Sequence, residues 1–403
     1  MPLPLDGLTV VDLTQVLSGP YCTMLLADMG ADVVKIEPPA GDATRQWGPF
    51  LREDEERSFG GYFQSVNRNK RGIVLDLKTD DGREVLLEML SRADVLVENF
   101  RVGVMDRLGL AWETLHDRFP RLVYAAIRGF GDPRTGVSPY VDWPAFDIVA
   151  QGMGGLVGTT GSDPEHPVKT GPATGDVWPA VLLTVGLLAA VRQAERTGVG
   201  DFVDVGMYDG IMSLSERAIY LQTYTGIDPQ PQGNTHPMLA PYGIFPTVDG
   251  WVSVAAPTDN HWRALARLIG RPELAGDPRF ATNEARFARS AETIGLVEAW
   301  TSARTTAQVV ETLAGQVPCG PVNKASDIVT DPHVAARRML VDLPQPGADR
   351  SVGVAGAPVK FLGAGEPAFR RAPRLGEHTD EVLAGLGYDA ARIAAMRTAG
   401  AVR

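Results

Sequence analysis

The chain has 403 residues, 44% of them hydrophobic and 22% charged, with 38 Lys and Arg against 49 Asp and Glu and a formal charge of −11 at pH 7. That length exceeds what one core serves and predicts two domains, while the ordinary balance of apolar and charged residues excludes a disordered chain and the negative charge argues against a nucleic-acid or anionic-membrane partner. Two cysteines, Cys22 and Cys319, are too few for a disulfide framework, and the opening MPLPLDGLTVV lacks the basic and apolar stretches of a secretory leader, so a cytoplasmic protein is expected.

In chain order, LTVVDL (8–13) reads as a strand, GPYCTMLLADMG (19–30) has helical spacing, and ADVVKIE (31–37) is again a strand. The alternation continues through GIVLDL (72–77), a helix from Asp80 to Ala93 behind the cap Thr79, DVLVENF (94–100), a helical stretch to Arg118, and LVYAAI (122–127). This pattern predicts an α/β fold with a mostly parallel, doubly wound sheet. The apolar run VWPAVLLTVGLLAAV (177–191) is shorter than the roughly 20 residues a bilayer span needs and reads as a core helix. A further strand and helix follow in RTGVGDFVDVGMYDGIMSL, and the Pro/Gly-rich segment 225–243 breaks the pattern as a linker. IFPTVDGWVSVAAP (244–257) then predicts a hairpin turning at Asp249-Gly250, with helices to Gln316 completing a smaller domain. Beyond Pro321 come short strands, Pro/Gly turns and a final helix over 379–397, which periodicity alone assigns to neither domain.

Three groups of residues carry possible chemistry. Glu37 ends the second strand where a ribose-binding acid would sit, but the first turn, TQVLSGP, has no G-x-G-x-x-G, which argues against a nicotinamide or flavin site. Arg68, Lys70, Arg71, Lys78, Arg101, Arg107 and Arg128 fall near strand ends, either as a solvated face or as local positive charge for a polyphosphate. Asp176, in TGPATGDVWPA, precedes the long apolar run and reads either as its N-cap or as a reagent. As a cap it would place Pro179, which has no N–H, at N3; as a reagent, a carboxylate whose ordinary pKa is about 3.9 is ionised at pH 7 and needs no neighbouring base to attack a carbonyl. The six histidines and two cysteines show no metal-ligand spacing, and no G-x-S-x-G elbow is present.

Several long motifs, in order along the chain, resemble CoA-transferase family III, the CaiB/BaiF group: LDGLTVVDLTQVLSGPYCTMLLADMGADVVKIEPPAGDATR, NRNKRGIVLDLKTDDGREVLLEMLSRADVLVENFRVGVMDRLGL, TGPATGDVWPA, RQAERTGVGDFVDVGMYD, VPCGPV, DPHV and LGEHTDEVL. The resemblance implies an interlocked homodimer whose protomers each have a large Rossmann-like domain (1–224), a small α+β domain with its linkers (225–325), and a C-terminal segment (326–403) returning to the large domain. It implies a CoA-transferase acting on acyl-CoA and a carboxylic acid, a dicarboxylate such as succinate among them, with neither metal nor nicotinamide nor flavin. Asp176 is then the nucleophile, passing through an aspartyl anhydride and an aspartyl-CoA thioester. Coenzyme A contacts carry over onto Leu75, Asp76, Leu77 and Lys78, onto Asn99, Phe100 and Arg101, and onto Arg107 and Arg128. Formyl-CoA transferases have Arg after KIE, Gln at the place of Leu17 and a tetraglycine loop; Pro38, Leu17 and GNTHPMLAPYG here argue against formyl-CoA and oxalate and leave the adenine contact near Pro38 open. The racemase branch pairs its acid with His in a G-H-D triplet, whereas Ala145-Phe146-Asp147 stands here and Phe146 exchanges no proton. A racemase, or an acyl-CoA-binding protein without turnover, are the alternatives.

Overall fold

Six parallel strands, β1 (Thr9–Asp12), β2 (Asp32–Glu37), β3 (Arg71–Val74), β4 (Val95–Glu98), β5 (Val123–Arg128) and β6 (Phe202–Gly206), form one sheet in the order β3-β2-β1-β4-β5-β6 in the computed structural model, which describes every residue except 56, 58, 366 and 367. The two-residue period of a strand divides its side chains between two cores. Val10, Val33, Val95, Val97, Val123 and Ile127 pack under the helices Ser18–Asp28, Asp147–Met153, Thr174–Thr197 and Met207–Leu214. Val11, Val34, Ile36, Leu96, Tyr124 and Ala126 pack under Asp80–Leu90, Trp112–Arg118, Thr379–Leu386 and Ala390–Thr398. With helices on both faces, the strands are mostly apolar on both sides, with Asp12, Lys35, Glu37, Glu98 and Arg128 as buried charged exceptions, which is why they read so plainly as strands.

The helix Thr174–Thr197 is the one described helix long and apolar enough to cross a membrane, yet its Ala180, Leu183 and Leu187 are buried against the sheet. It begins three residues before the apolar run does, so Pro179 lies inside it. The predicted helical stretch to Arg118 is two short helices, Val104–Arg107 and Trp112–Arg118, separated at Gly109, whose φ of 73° ends the first.

By contact density the chain divides into two units, residues 1–156, 169–220 and 335–403 in one and 157–168 and 221–334 in the other. In the first, the C-terminal segment meets the edge of the sheet. The His378 N–H donates to the Gly72 carbonyl at 2.9 Å, and Leu75 bridges Val402. The second unit holds an antiparallel sheet of β7 (Tyr242–Pro246), β8 (Trp251–Ala255) and β9 (Cys319–Pro321) around a core that includes Phe245, Val252, Trp262, Leu265 and Val309. Its β7–β8 hairpin closes where Asp249-Gly250 predicted, with the Thr247 N–H donating to the Gly250 carbonyl. A two-stranded ribbon, β10 (Leu340–Pro344) and β11 (Ser351–Ala355), belongs to the first unit.

Candidate active site

The sheet order reverses between β1 and β4, so the loops that leave their carboxyl ends diverge and open a crevice, the usual ligand position in such sheets. The two loops are stitched together at the crevice. The Gln15 N–H donates to Asn99 Oδ1 at 2.9 Å, and Asn99 Nδ2 donates back to the Gln15 carbonyl at 2.8 Å. The next residue, Val16, has φ of 68°, a left-handed conformation that a β-branched side chain rarely adopts. Its N–H is held 3.2 Å from Asp42 Oδ2, and Asp42 is itself paired with the fully buried Lys35 at 3.1 Å. Such strain persists where the surroundings over-determine it, and it clusters at functional sites. A cavity of about 540 Å³ opens here, lined by Gln15 to Ser18, Asn99 to Val102, Arg107, Arg128, Phe146 and Asp176.

Asp176 is not the N-cap of its helix. The helix starts at Thr174 behind Ala173, and the side chain that serves its N-terminus comes from elsewhere: Asp147 Oδ1 accepts the Gly175 N–H at 2.7 Å. Gln151 Nε2 holds the same carboxylate at 2.8 Å, while Gln151 Oε1 accepts the Thr170 N–H at 3.0 Å and so fixes the approach loop. Gly175 is needed for this arrangement, because a Cβ there would stand 2.5 Å from the Asp147 carbonyl oxygen. With the capping place taken, the half-buried Asp176 carboxylate has no hydrogen-bond partner among the described residues. Burial first, and then the charge of Asp147, push its pKa up to about 7. The expectation of a carboxylate fully ionised at neutral pH is therefore corrected: near neutrality Asp176 is divided between acid and anion. Tyr62 shares this neighbourhood; burial and the charges of Asp176, Asp42 and Asp147 push its phenol up to about 12.

Among the predicted coenzyme A contacts, Asn99, Phe100, Arg101, Arg107 and Arg128 line the cavity with Asp176, whereas Leu75, Asp76, Leu77 and Lys78 lie outside its lining, after β3. Arg101 and Arg107 are exposed and have no ion-pair partner among the described residues. Arg128 differs: it is buried, its Nη2 pairs with Glu98 and its Nη1 lies 2.9 Å from Asp132 Oδ2. Of the other basic residues, Arg68 is consumed by Asp28 at 2.6 Å, Lys70 by Asp12 at 3.0 Å and Arg71 by Asp32 at 2.6 Å. Those three hold the fold and offer no charge to a ligand, contrary to the reading of NRNKR as part of an anion seat.

Glu98, Asp42 and Gln151 escaped the sequence reading, and Asp147 entered it only as part of the triplet compared with the racemases, without its role at Gly175. Asp147 opens a helix, an ordinary place for Asp, and its partner Gly175 is 28 residues away, so no local signal exposes it. Among the described residues no three His, Cys, Asp or Glu side chains converge as a metal site.

A family model described as CoA-transferase family III matches residues 5–379. The chain belongs to that family. It is 47% identical over 391 residues to the succinyl-CoA:mesaconate CoA-transferase of Haloarcula hispanica, covering 96% of this chain and 98% of that one. It is 36% identical over 395 residues to the succinate–glutarate CoA-transferase of Agrobacterium fabrum, covering 95% and 96%. A crystal structure of a CaiB/BaiF family protein from Brucella suis matches with a TM-score of 0.84 and 36% identity, over 96% of this chain and 100% of that one. This chain is thus a family III CoA-transferase with the mixed α/β fold and central parallel sheet of that group.

Proposed function

We propose that this family III CoA-transferase moves CoA between small dicarboxylic acids, with Asp176 as the nucleophile that carries the acyl group. The observation that carries the reading is the Asp176 carboxylate itself, which has no hydrogen bond among the described residues and lines the cavity at the point where the sheet order reverses. One carboxylate oxygen attacks the thioester carbonyl; the C–S bond breaks and the thiolate leaves with the electron pair, giving a mixed anhydride. The thiolate then attacks the aspartyl carbonyl, forming an aspartyl-CoA thioester and releasing the donor acid. The acceptor carboxylate attacks that thioester in turn, and the freed thiolate takes the new acyl group from the second anhydride, restoring Asp176.

Arg101 and Arg107, without ion-pair partners among the described residues, suit the phosphates of CoA, which need charge-assisted donors on a chain of net charge −11. Leu75 to Lys78 extend the CoA contact beyond the cavity, and Asn99, whose amide is occupied by Gln15, contributes through its backbone. The dicarboxylate assignment follows the relatives named for succinyl-CoA with mesaconate and for succinate with glutarate. The interlocked homodimer of the CaiB/BaiF group is part of this reading; the apolar groove formed by Leu25, Met29, Val181, Val185, Leu188 and Phe361 supports it. Two free cysteines fit a reducing cytoplasm. Phe146, exposed and lining the cavity where a racemase has its His, weighs against proton exchange at the α-carbon.

The decisive experiment incubates the enzyme with succinyl-CoA, quenches with hydroxylamine and maps the adduct by peptide mass spectrometry. A hydroxamate on Asp176 is expected. A label confined to any other acid overturns the assignment.

A further inference from the structure

Gln151 is fully buried on the helix Asp147–Met153, one turn beyond Asp147 and on the same face, and its amide is used at both ends. Nε2 donates to both oxygens of the Asp147 carboxylate, at 2.8 and 2.9 Å, while Oε1 accepts the Thr170 N–H at 3.0 Å and the Thr170 hydroxyl at 3.1 Å. A carboxylate demands a donor and an N–H demands an acceptor, so this chemistry fixes which end of the amide points where. The same helix turn thus grips the approach loop at both of its ends. Gln151 takes Thr170 where the loop begins, and Asp147 takes the Gly175 N–H at 2.7 Å where it enters the helix that carries Asp176. Between the two grips the loop closes on itself, with the Thr170 and Thr174 hydroxyls 2.7 Å apart and the Thr174 N–H donating to the Pro172 carbonyl at 2.8 Å.

Neither Gln151 nor Asp147 lines the cavity, so this assembly reaches the reaction only through Asp176. The Asp176 carboxylate has no hydrogen bond among the described residues, and its place is therefore set by the backbone that carries it. That backbone is held closely: a Cβ on Gly175 would stand 2.5 Å from the Asp147 carbonyl oxygen and 3.1 Å from the Ala150 side chain. Asp147 is also the anion that Asp176 faces. Without the amide, the Gly175 N–H would be the last donor left on the Asp147 carboxylate among the described residues, and Thr170 would lose the acceptor for its N–H. Few side chains of this size serve both partners. Glu at neutral pH offers acceptors alone and opposes Asp147, Met fills the space and bonds to neither, and Asn is one methylene too short.

We propose that Gln151 is a positioning residue for the transfer reaction: by holding the Asp147 carboxylate on Gly175 and the approach loop on the same helix turn, it sets where Asp176 stands and which charge it faces. This rests on the reading of Asp176 as the acyl carrier. In that reading one carboxylate oxygen has to meet the thioester carbonyl, and bonds to the aspartyl carbon then form and break in turn, so a nucleophile anchored only through its backbone depends on how firmly that backbone is held.

The test measures kcat and KM for the exchange of CoA between succinyl-CoA and radiolabelled succinate, with urea unfolding of each variant alongside. Gln151→Glu sets a second carboxylate against Asp147 and should lower kcat about tenfold or more, while KM for succinyl-CoA stays within about twofold because the CoA contacts are untouched. Adding Asp147→Asn to it exchanges the amide and the carboxylate between the two positions. The bond across the helix turn then returns, with an acceptor for Gly175 and one for Thr170, so the double variant should regain most of the lost kcat. Gln151→Met, which removes both bonds and adds no charge, should show the same fall in kcat, and Asp147→Asn should not repair it; this variant carries the test by itself if Gln151→Glu does not fold. An unchanged kcat in the Gln151 variants overturns the proposal, and so does a loss that the exchanged pair fails to repair in a protein as resistant to urea as the wild type. Hydroxylamine trapping on the wild type is read separately: a label on another acid removes the nucleophile, whereas a label on Asp176 beside wild-type kcat in the Gln151 variants removes this inference alone.

Discussion

At Asp176 a common helix-capping residue is released from capping because Asp147 does the work from another helix, and that exchange sets its chemistry. A carboxylate bonded to backbone amides has a low pKa and poor reactivity, whereas one that burial and a neighbouring anion hold near 7 is unsatisfied as an anion and ready to attack. Because only the anion attacks, kcat/KM should rise with pH through a midpoint near 7, and Asp147→Asn, which removes the opposing charge and keeps an acceptor for Gly175, should move that midpoint to lower pH. Stability runs the other way. The native pKa lies above the unfolded value, so the contribution is complete below about pH 4 and is lost as pH climbs through about 7. Asp176→Asn should therefore melt at a higher temperature than the wild type at pH 8, with the gap closing toward pH 4, while transfer falls by about a thousandfold or more for want of the nucleophile. Differential scanning calorimetry across pH and a steady-state exchange assay read the two effects independently. Gly175→Ala tests the contact that releases Asp176: its Cβ would overlap the Asp147 carbonyl, at a cost of about 1–3 kcal/mol in urea unfolding.

The elements that carry these residues are legible in the sequence to different degrees. Strands buried on both faces are mostly apolar, and the predicted β1, β2, β4 and β5 fall within a residue or two of their bounds. The helix at Thr174 starts three residues ahead of its predicted place, because the small polar residues of its first turn are not apolar and its cap is tertiary. Asp176 itself is legible through the resemblance of its motif, but its freedom from capping is not, since that depends on Asp147. The same holds for the loops after β1 and β4. Glu98 Oε2 accepts the Phe100 N–H at 2.7 Å and Arg128 Nε donates to the Phe100 carbonyl at 3.1 Å, so a buried ion pair grips both sides of the residue that follows Asn99. The family resemblance marks Arg128 as a ligand contact; its surroundings make it first a loop fastener. Arg128→Met would strand Glu98 in the core and should cost about 3 kcal/mol or more at pH 8, and the pair Glu98→Gln with Arg128→Met should recover much of it, as chemical denaturation can show. A loss confined to CoA affinity, with stability unchanged, would instead return Arg128 to the ligand.

Across the whole molecule the charge is −11, and the substrate is a polyanion as well, so long-range electrostatics alone would repel it. Attraction has to come from a few cations not already spent on the fold. Arg68, Lys70, Arg71 and Arg128 are spent, whereas Arg101 and Arg107 stand exposed at the cavity without partners among the described residues. The double variant Arg101→Gln with Arg107→Gln should accordingly raise KM for acyl-CoA by about tenfold or more while kcat changes little, since phosphates far from the reacting carbonyl bind alike in ground and transition states. Added salt gives the complementary reading. Exposed charges are screened over a Debye length of about 8 Å at physiological ionic strength, so the wild-type KM should climb with salt, and the variant, already without the two guanidinium groups, should show a flatter dependence. An unchanged KM and salt slope in the variant would place the CoA phosphates elsewhere, with the exposed Lys78 after β3 the next cation to replace.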